Sequence, residues 1–198
     1  SGGKPIHVSP LPVQRPHPPL WVAVTAPGTE LDAAERGMGA IILSIADVER
    51  IVPRISEYRE RIKTCDPVGA FVNDQIAIAN WMYCHEDKDY AISKGHELVA
   101  TFGYMAGQTV EISEAYPANN YSAIGLLGSL RPDPNAPGDA KQPPASGLCF
   151  GDPEHLVQTI TRWQDAGVYR VIVSPWSRSR EAIESLRRFA EQWREALS

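Results

Sequence analysis

Cysteine is scarce in this 198-residue sequence, which has only Cys65, Cys84 and Cys149. The number is odd, the spacing is wide and no C-x-x-C pair occurs. A disulfide framework is therefore excluded, and free thiols in a reducing compartment, the cytoplasm, are expected. No apolar run approaches the roughly 20 residues of a membrane span, and no secretory signal is recognisable. Basic residues are not in excess: 19 Lys and Arg stand against 24 Asp and Glu, for a net charge of −5. Without a basic cluster there is no reason to expect nucleic-acid binding. No metal-ligand spacing appears, no Gly-rich dinucleotide fingerprint follows a strand, and no Ser/His/Asp set can be assigned. An initiating Met is also lacking, and Ser1-Gly2-Gly3 reads as a cloning remnant or a cut point.

What is present is an apolar content of 43%, enough for one globular domain with a proper core. The chain is organised around residues 20–43, LWVAVTAPGTELDAAERGMGAIIL. Leu20 to Val24 is apolar and fits a strand buried on both faces. Ala26, Pro27 and Gly28 break the run. Glu30 to Arg36 reads as a short helix, with Thr29 placed to cap it, acidic residues in its first turn and Gly37 at its end. Ala40 to Leu43 is a second buried strand. Two buried strands joined by one helix imply a right-handed parallel βαβ crossover.

The rest of the chain repeats the rhythm. Residues 1–19 are rich in Pro and read as an extended segment. Ala46 to Lys63 has helical spacing of Val48, Ile51, Val52, Ile55, Tyr58 and Ile62, with Pro53 inside the pattern and a kink or break expected near Val52. Gln75 to Cys84 is a third strand, followed by a helix over Glu86 to Phe102 that ends at Gly103. Residues 103–150 look irregular, and 131–147 look like a mobile lid edge because of their Pro and Gly content. Asp152-Pro153-Glu154 starts a helix with Asp as N-cap and Pro at the first position. Tyr169 to Ser174 is a fourth strand, and Arg180 to Leu197 a closing helix. Strand–helix alternation means an α/β fold with a parallel sheet. Four strands cannot close an eight-stranded barrel, so the chain is a small open sheet or half a barrel.

Several of these segments together resemble the second half of the bacterial-luciferase-like, flavin-dependent monooxygenases. Pro16-His17-Pro18-Pro19 precedes the first strand, and Val22-Ala23 leads to a Thr turn. Ala33-Ala34-Glu35-Arg36-Gly37 closes the first helix, and Glu57-Tyr58-Arg59 comes late in the second. Phe150-Gly151-Asp152-Pro153-Glu154 resembles the family's G-x-P-E helix start, and Ala166-Gly167-Val168 precedes the last strand. The resemblance implies strands five to eight of a TIM-barrel-type fold, with parallel β/α units in a single domain. It implies a missing N-terminal half, on a longer polypeptide or a separate chain; a self-associated copy is the other way to cover the open edges. It implies reduced FMN, supplied by a flavin reductase, acting with oxygen on an organic small-molecule substrate. A deazaflavin-dependent oxidoreductase of the same fold and a non-catalytic half-barrel are the alternatives.

The candidate sites follow the strand ends. Thr25, Ala26 and Thr29 match the family's phosphate turn, where amides and a hydroxyl at a helix N-terminus would hold FMN; a plain strand-to-helix turn is the other reading. Trp176, just past the fourth strand, is placed to stack near a flavin ring or to pack beneath the last helix, and Arg178 and Arg180 share its rim. His85, just past the third strand, is placed to face substrate. His17 lies at the amino-terminal end, where a structural role is expected. Trp81 and Tyr83 share one face of a strand and read as core, as does Cys84. No catalytic residue can be named.

Overall fold

A computed structural model describes residues 12–26, 28–44, 47–115, 149–174 and 180–196. In chain order these form β1 (Trp21–Val24), α1 (Thr29–Glu35), β2 (Gly39–Leu43), α2 (Val48–Ile62), β3 (Ile76–Cys84), α3 (Lys88–Ala115), β4 (Cys149–Gly151), α4 (Pro153–Asp165), β5 (Arg170–Ser174) and α5 (Arg180–Ala196). Every strand pairing is parallel. The nine-residue β3 is the axis of the sheet: it pairs with β2, with β5 and, at its carboxyl end, with β4. Ala40 and Ser44 donate their amides to the carbonyls of Gln75 and Ala79, and His85 donates to Gly151. Backbone groups alternate edges along a strand, so these odd-numbered residues place β4 on the β2 side of β3, past the end of β2.

Side-chain alternation sorts the two faces. Ile76, Ile78, Met82 and Cys84 point into the helix layer, where Val24, Ala40, Ile42, Ile55, Tyr58, Leu156 and Ile160 meet them. Trp81 and Tyr83 point the other way and cluster with Phe150, Ala91 and Val99, so α3 covers that face at its carboxyl end. Towards the amino end of the same face Ala77 is still buried, but its β5 neighbours are not. Arg170 and Ile172 of β5, in register with Ala77 and Ala79, are both exposed, Ile172 to 40%. The outer strands are β1 and β5: among the described residues β1 pairs only with β2 and β5 only with β3.

The Glu57-Tyr58-Arg59 segment ties the layers together. Fully buried Tyr58 donates its hydroxyl to the carbonyls of Met38 at 2.9 Å and Asn73 at 3.2 Å, and Arg59 Nη2 donates to the Gly167 carbonyl.

Four expectations are corrected. α2 runs unbroken through Pro53. Pro53 is only the sixth helical residue, so one hydrogen bond is lost near the start while Val48, Ile51, Ile55, Tyr58 and Ile62 bury along one face. The N-cap of α1 is Gly28, not Thr29, because Gly28 takes the left-handed conformation (φ 93°) that turns the chain into the helix. Gly103 does not end α3, which continues to Ala115; each helical glycine costs only about 1 kcal/mol. The irregular stretch of 103–150 is thus narrowed, since its last residues form β4, a strand too short to announce itself by pattern. Residues 131–147 lie outside the described residues.

Candidate functional site at the carboxyl ends of the strands

Parallel strands bring Thr25 and Ala26 (after β1), Ser44 (after β2), His85 (after β3) and Ser174 (the last residue of β5) to one end of the sheet. By strand register Thr25 is level with Ala79, so His85 lies two strands over and six residues further along β3 (85 − 79), on the order of 20 Å, and the two do not meet. Thr25, Ala26 and Thr29 are half-buried. Trp176 and Arg178 fall outside the described residues. Arg180 begins α5 and is exposed.

The turn after β1 is filled from within. The Gly28 amide donates to Glu30 Oε2 at 2.9 Å, and the Thr29 amide donates to the Ala26 carbonyl at 3.3 Å. The amides of Leu31 and Asp32 both close on the Gly28 carbonyl. Pro27 carries no N–H. Glu30 is 2% exposed, and Arg54 of α2 donates to both of its oxygens, Nε to Oε1 at 2.6 Å and Nη2 to Oε2 at 2.9 Å. Burial alone would raise the Glu30 pKa, but the Arg54 hydrogen bond and charge and the Gly28 amide together hold it below the ordinary 4.5. The amides of Gly28, Thr29, Leu31 and Asp32 are thus partnered within the turn and helix, and the carboxylate of Glu30 takes the one from Gly28. Nothing in the protein lies within 4 Å of where a Gly28 Cβ would stand, so its positive φ is what calls for glycine there.

The rim after β3 carries a cluster that sequence reasoning did not find. The Tyr83 hydroxyl donates to Glu181 Oε1 at 2.5 Å, and the Tyr90 hydroxyl donates to the same oxygen at 2.6 Å. Glu181 is in the first turn of α5, and its pKa is lowered by these two bonds. Burial, then the hydrogen bond to Glu181, pushes the Tyr83 phenol well above its ordinary 10.0. The His85 ring packs on Tyr90 at 4.7 Å, and its Nδ1 accepts the Asp87 amide at 3.0 Å, which leaves the proton of the neutral ring on Nε2. Lys94 lies over the Tyr90 ring at 5.8 Å. Partners separated by about 90 residues in sequence leave no local pattern. Beside them the buried Ser185 hydroxyl accepts the Cys84 amide at 2.7 Å.

His17 and Cys84 behave as structural residues. His17 Nε2 accepts the Ala70 amide at 2.8 Å, and its ring stacks on Phe71 at 4.7 Å. Cys84 and Cys149 are fully buried, and burial pushes their thiols up to about 11 and about 12 respectively, far from a reactive thiolate. Among the described residues no group of His, Cys, Asp and Glu could hold a metal ion, and no helix is long and apolar enough to cross a membrane.

A scan against protein families finds no match, and neither does a search of curated proteins. Solved structures do match. The monooxygenase RslO1 from Streptomyces bottropensis is 21% identical with a TM-score of 0.55, over 93% of this chain and 50% of that one. The coenzyme F420-dependent tetrahydromethanopterin reductase from Methanopyrus kandleri is 19% identical with a TM-score of 0.52, over 85% and 48%. The oxygenating constituent of 3,6-diketocamphane monooxygenase from Pseudomonas putida, in complex with FMN, is 14% identical with a TM-score of 0.52, over 89% and 48%. Such identities speak for fold alone. The chain has the parallel β/α architecture of the luciferase-like barrels. It spans about half the length of the structures it matches, so it is a half-barrel; the assignment to strands five to eight is carried by the sequence resemblance.

Proposed function

We propose that this chain is the C-terminal half of a luciferase-like flavin-dependent monooxygenase, which uses reduced FMN and oxygen to oxidise an organic substrate. The observation that carries this reading is the half-barrel itself: parallel strands whose outer members β1 and β5 each pair on one side only among the described residues, similar to about half of a monooxygenase solved with FMN and of an F420-dependent reductase. The complementary strands come from an upstream half, and a flavin reductase supplies the reduced cofactor in the cytoplasm. The cofactor, when bound, supplies the redox chemistry. The chain's residues shape the rim around it: Thr25, Ala26 and Thr29 border it from the β1 side, Trp176 from the β5 side, and His85 faces substrate.

A deazaflavin-dependent oxidoreductase is the second reading, favoured by the F420-dependent structures among the matches. Co-expression of this chain with its upstream half, followed by a visible spectrum of the purified assembly, tests both. A flavin spectrum with oxygen uptake supports the monooxygenase, and a deazaflavin spectrum without oxygen uptake supports the alternative. An assembly that binds neither is a non-catalytic barrel and overturns both.

A further inference from the structure

We infer that Glu181 and Tyr90 are positioning residues for His85. They hold its ring so that the rim offers a ligand an Nε2–H donor, and the substrate that fits is a neutral carbonyl compound, whose oxygen accepts that bond. This rests on the functional reading above, in which His85 faces substrate, and narrows it to a substrate class.

Three observations converge. First, the His85 backbone is tied down, its amide donating to the Gly151 carbonyl of β4 at 3.1 Å. Its Nδ1 accepts the Asp87 amide at 3.0 Å, and a nitrogen that accepts cannot carry the proton of the neutral ring, which therefore sits on Nε2. Secondly, that Asp87 amide belongs to a fixed turn. Asp87 Oδ1 accepts the Tyr90 amide at 3.0 Å, and the Asp87 carbonyl accepts the amide of fully buried Ala91 at 3.0 Å, at the start of α3. Thirdly, the other side of the ring rests on Tyr90, centroid to centroid at 4.7 Å. Tyr90 is 37% exposed, so burial alone does not hold it; its hydroxyl donates to Glu181 Oε1 at 2.6 Å, and buried Tyr83 donates to the same oxygen. The line Tyr83, Glu181, Tyr90, His85 thus joins β3, α5 and α3. The same cluster selects the ligand. A cation would find the Tyr90 face already taken by Lys94, 5.8 Å from the ring centroid. An anion would meet the Glu181 charge, which lies close enough to interact with His85. A neutral acceptor meets neither obstacle.

The test is nitrogen-15 NMR of the 198-residue chain at about pH 8, well above the ordinary imidazole value. Wild type should show His85 protonated on Nε2, with a scalar coupling between Nδ1 and the Asp87 amide nitrogen across their hydrogen bond. Glu181→Ala should lose that coupling. Glu181→Gln should keep it, because the amide oxygen still accepts both hydroxyls. An Nδ1-protonated ring in wild type overturns the inference, as does a coupling that survives Glu181→Ala or is lost in Glu181→Gln. Should Glu181→Ala fail to fold, Tyr90→Leu is read in the same way. The substrate class is tested in the assembled barrel with acetone, a ketone small enough that pocket shape does not decide, beside isobutene, its hydrocarbon counterpart. Only acetone should shift the His85 Nε2 proton saturably; an equal response to both, or none to acetone, overturns the substrate class. Failure of the functional reading shows separately, as an assembled barrel that binds neither flavin nor deazaflavin whatever the His85 ring does.

Discussion

Tyr83, near the end of β3, and Glu181, in the first turn of α5, meet hydroxyl to carboxylate at 2.5 Å across the rim of the sheet. The bond ties the central strand to the last helix, and Tyr90 adds α3 to the same oxygen.

A spectroscopic tyrosine titration should find Tyr83 still protonated well above pH 10, where ordinary phenols ionise. A folded-state pKa raised in this way contributes stability that is fully present below the unfolded value of about 10 and is lost as pH rises through the folded value. Tyr83→Phe should cost about 1 kcal/mol, below the usual range of about 1.5–3 kcal/mol for a bond to a charged group, because Glu181 is exposed. Full ionisation of all tyrosines near pH 10 in the folded chain would contradict the contact.

Arg54→Ala leaves the buried Glu30 carboxylate without its cation. Denaturant unfolding should show a loss of about 3–5 kcal/mol, the scale for breaking one partner of a buried pair. Glu30 is held below its ordinary 4.5, so its contribution is complete above that pH and is lost as pH falls towards the depressed folded value. The wild-type acid slope should therefore flatten in Arg54→Ala. An unchanged slope would mean that another carboxylate governs acid stability.

At Gly95 the usual sign of a helix substitution reverses. Gly to Ala within a helix ordinarily gains up to about 1 kcal/mol. Here an added Cβ would stand 2.2 Å from the Phe150 ring, which is itself fully buried. Gly95→Ala should instead destabilise by about 1–3 kcal/mol through overpacking. A raised melting temperature would show that α3 does not sit on β4 at this distance.

The fold was largely legible in sequence because its strands are buried apolar runs and its helices show 3.6-residue spacing. β1, β2, β3 and β5 and the Asp152–Pro153 helix start stand where those signals put them. β4 escaped because three residues carry no period, and the second half of α3 escaped because Gly103 reads as punctuation. The rim was legible only in its location. His85 announced itself by following a strand, but its Tyr90 and Asp87 contacts depend on how α3 starts. The Glu30–Arg54 pair spans 24 residues and two helices, and neither residue alone signals burial.

In the assembled barrel, His85→Ala should raise the KM for substrate roughly fivefold, the loss of about one hydrogen bond, and leave cofactor affinity unchanged. Fluorescence titration of the cofactor beside steady-state kinetics separates the two. Weakened cofactor binding at constant KM would move His85 to the cofactor side.

The half-barrel is the central claim, and its two outer strands are where it is exposed to test. β1 and β5 leave apolar side chains and one backbone edge each without a partner among the described residues, and Ile172 and Tyr169 stand 40% and 57% exposed beside the β5 edge. Open edges of this kind associate. Size-exclusion chromatography with light scattering on the 198-residue chain alone should give self-association, and with the upstream half a 1:1 complex. A folded, monodisperse monomer of 21.8 kDa would contradict the half-barrel account.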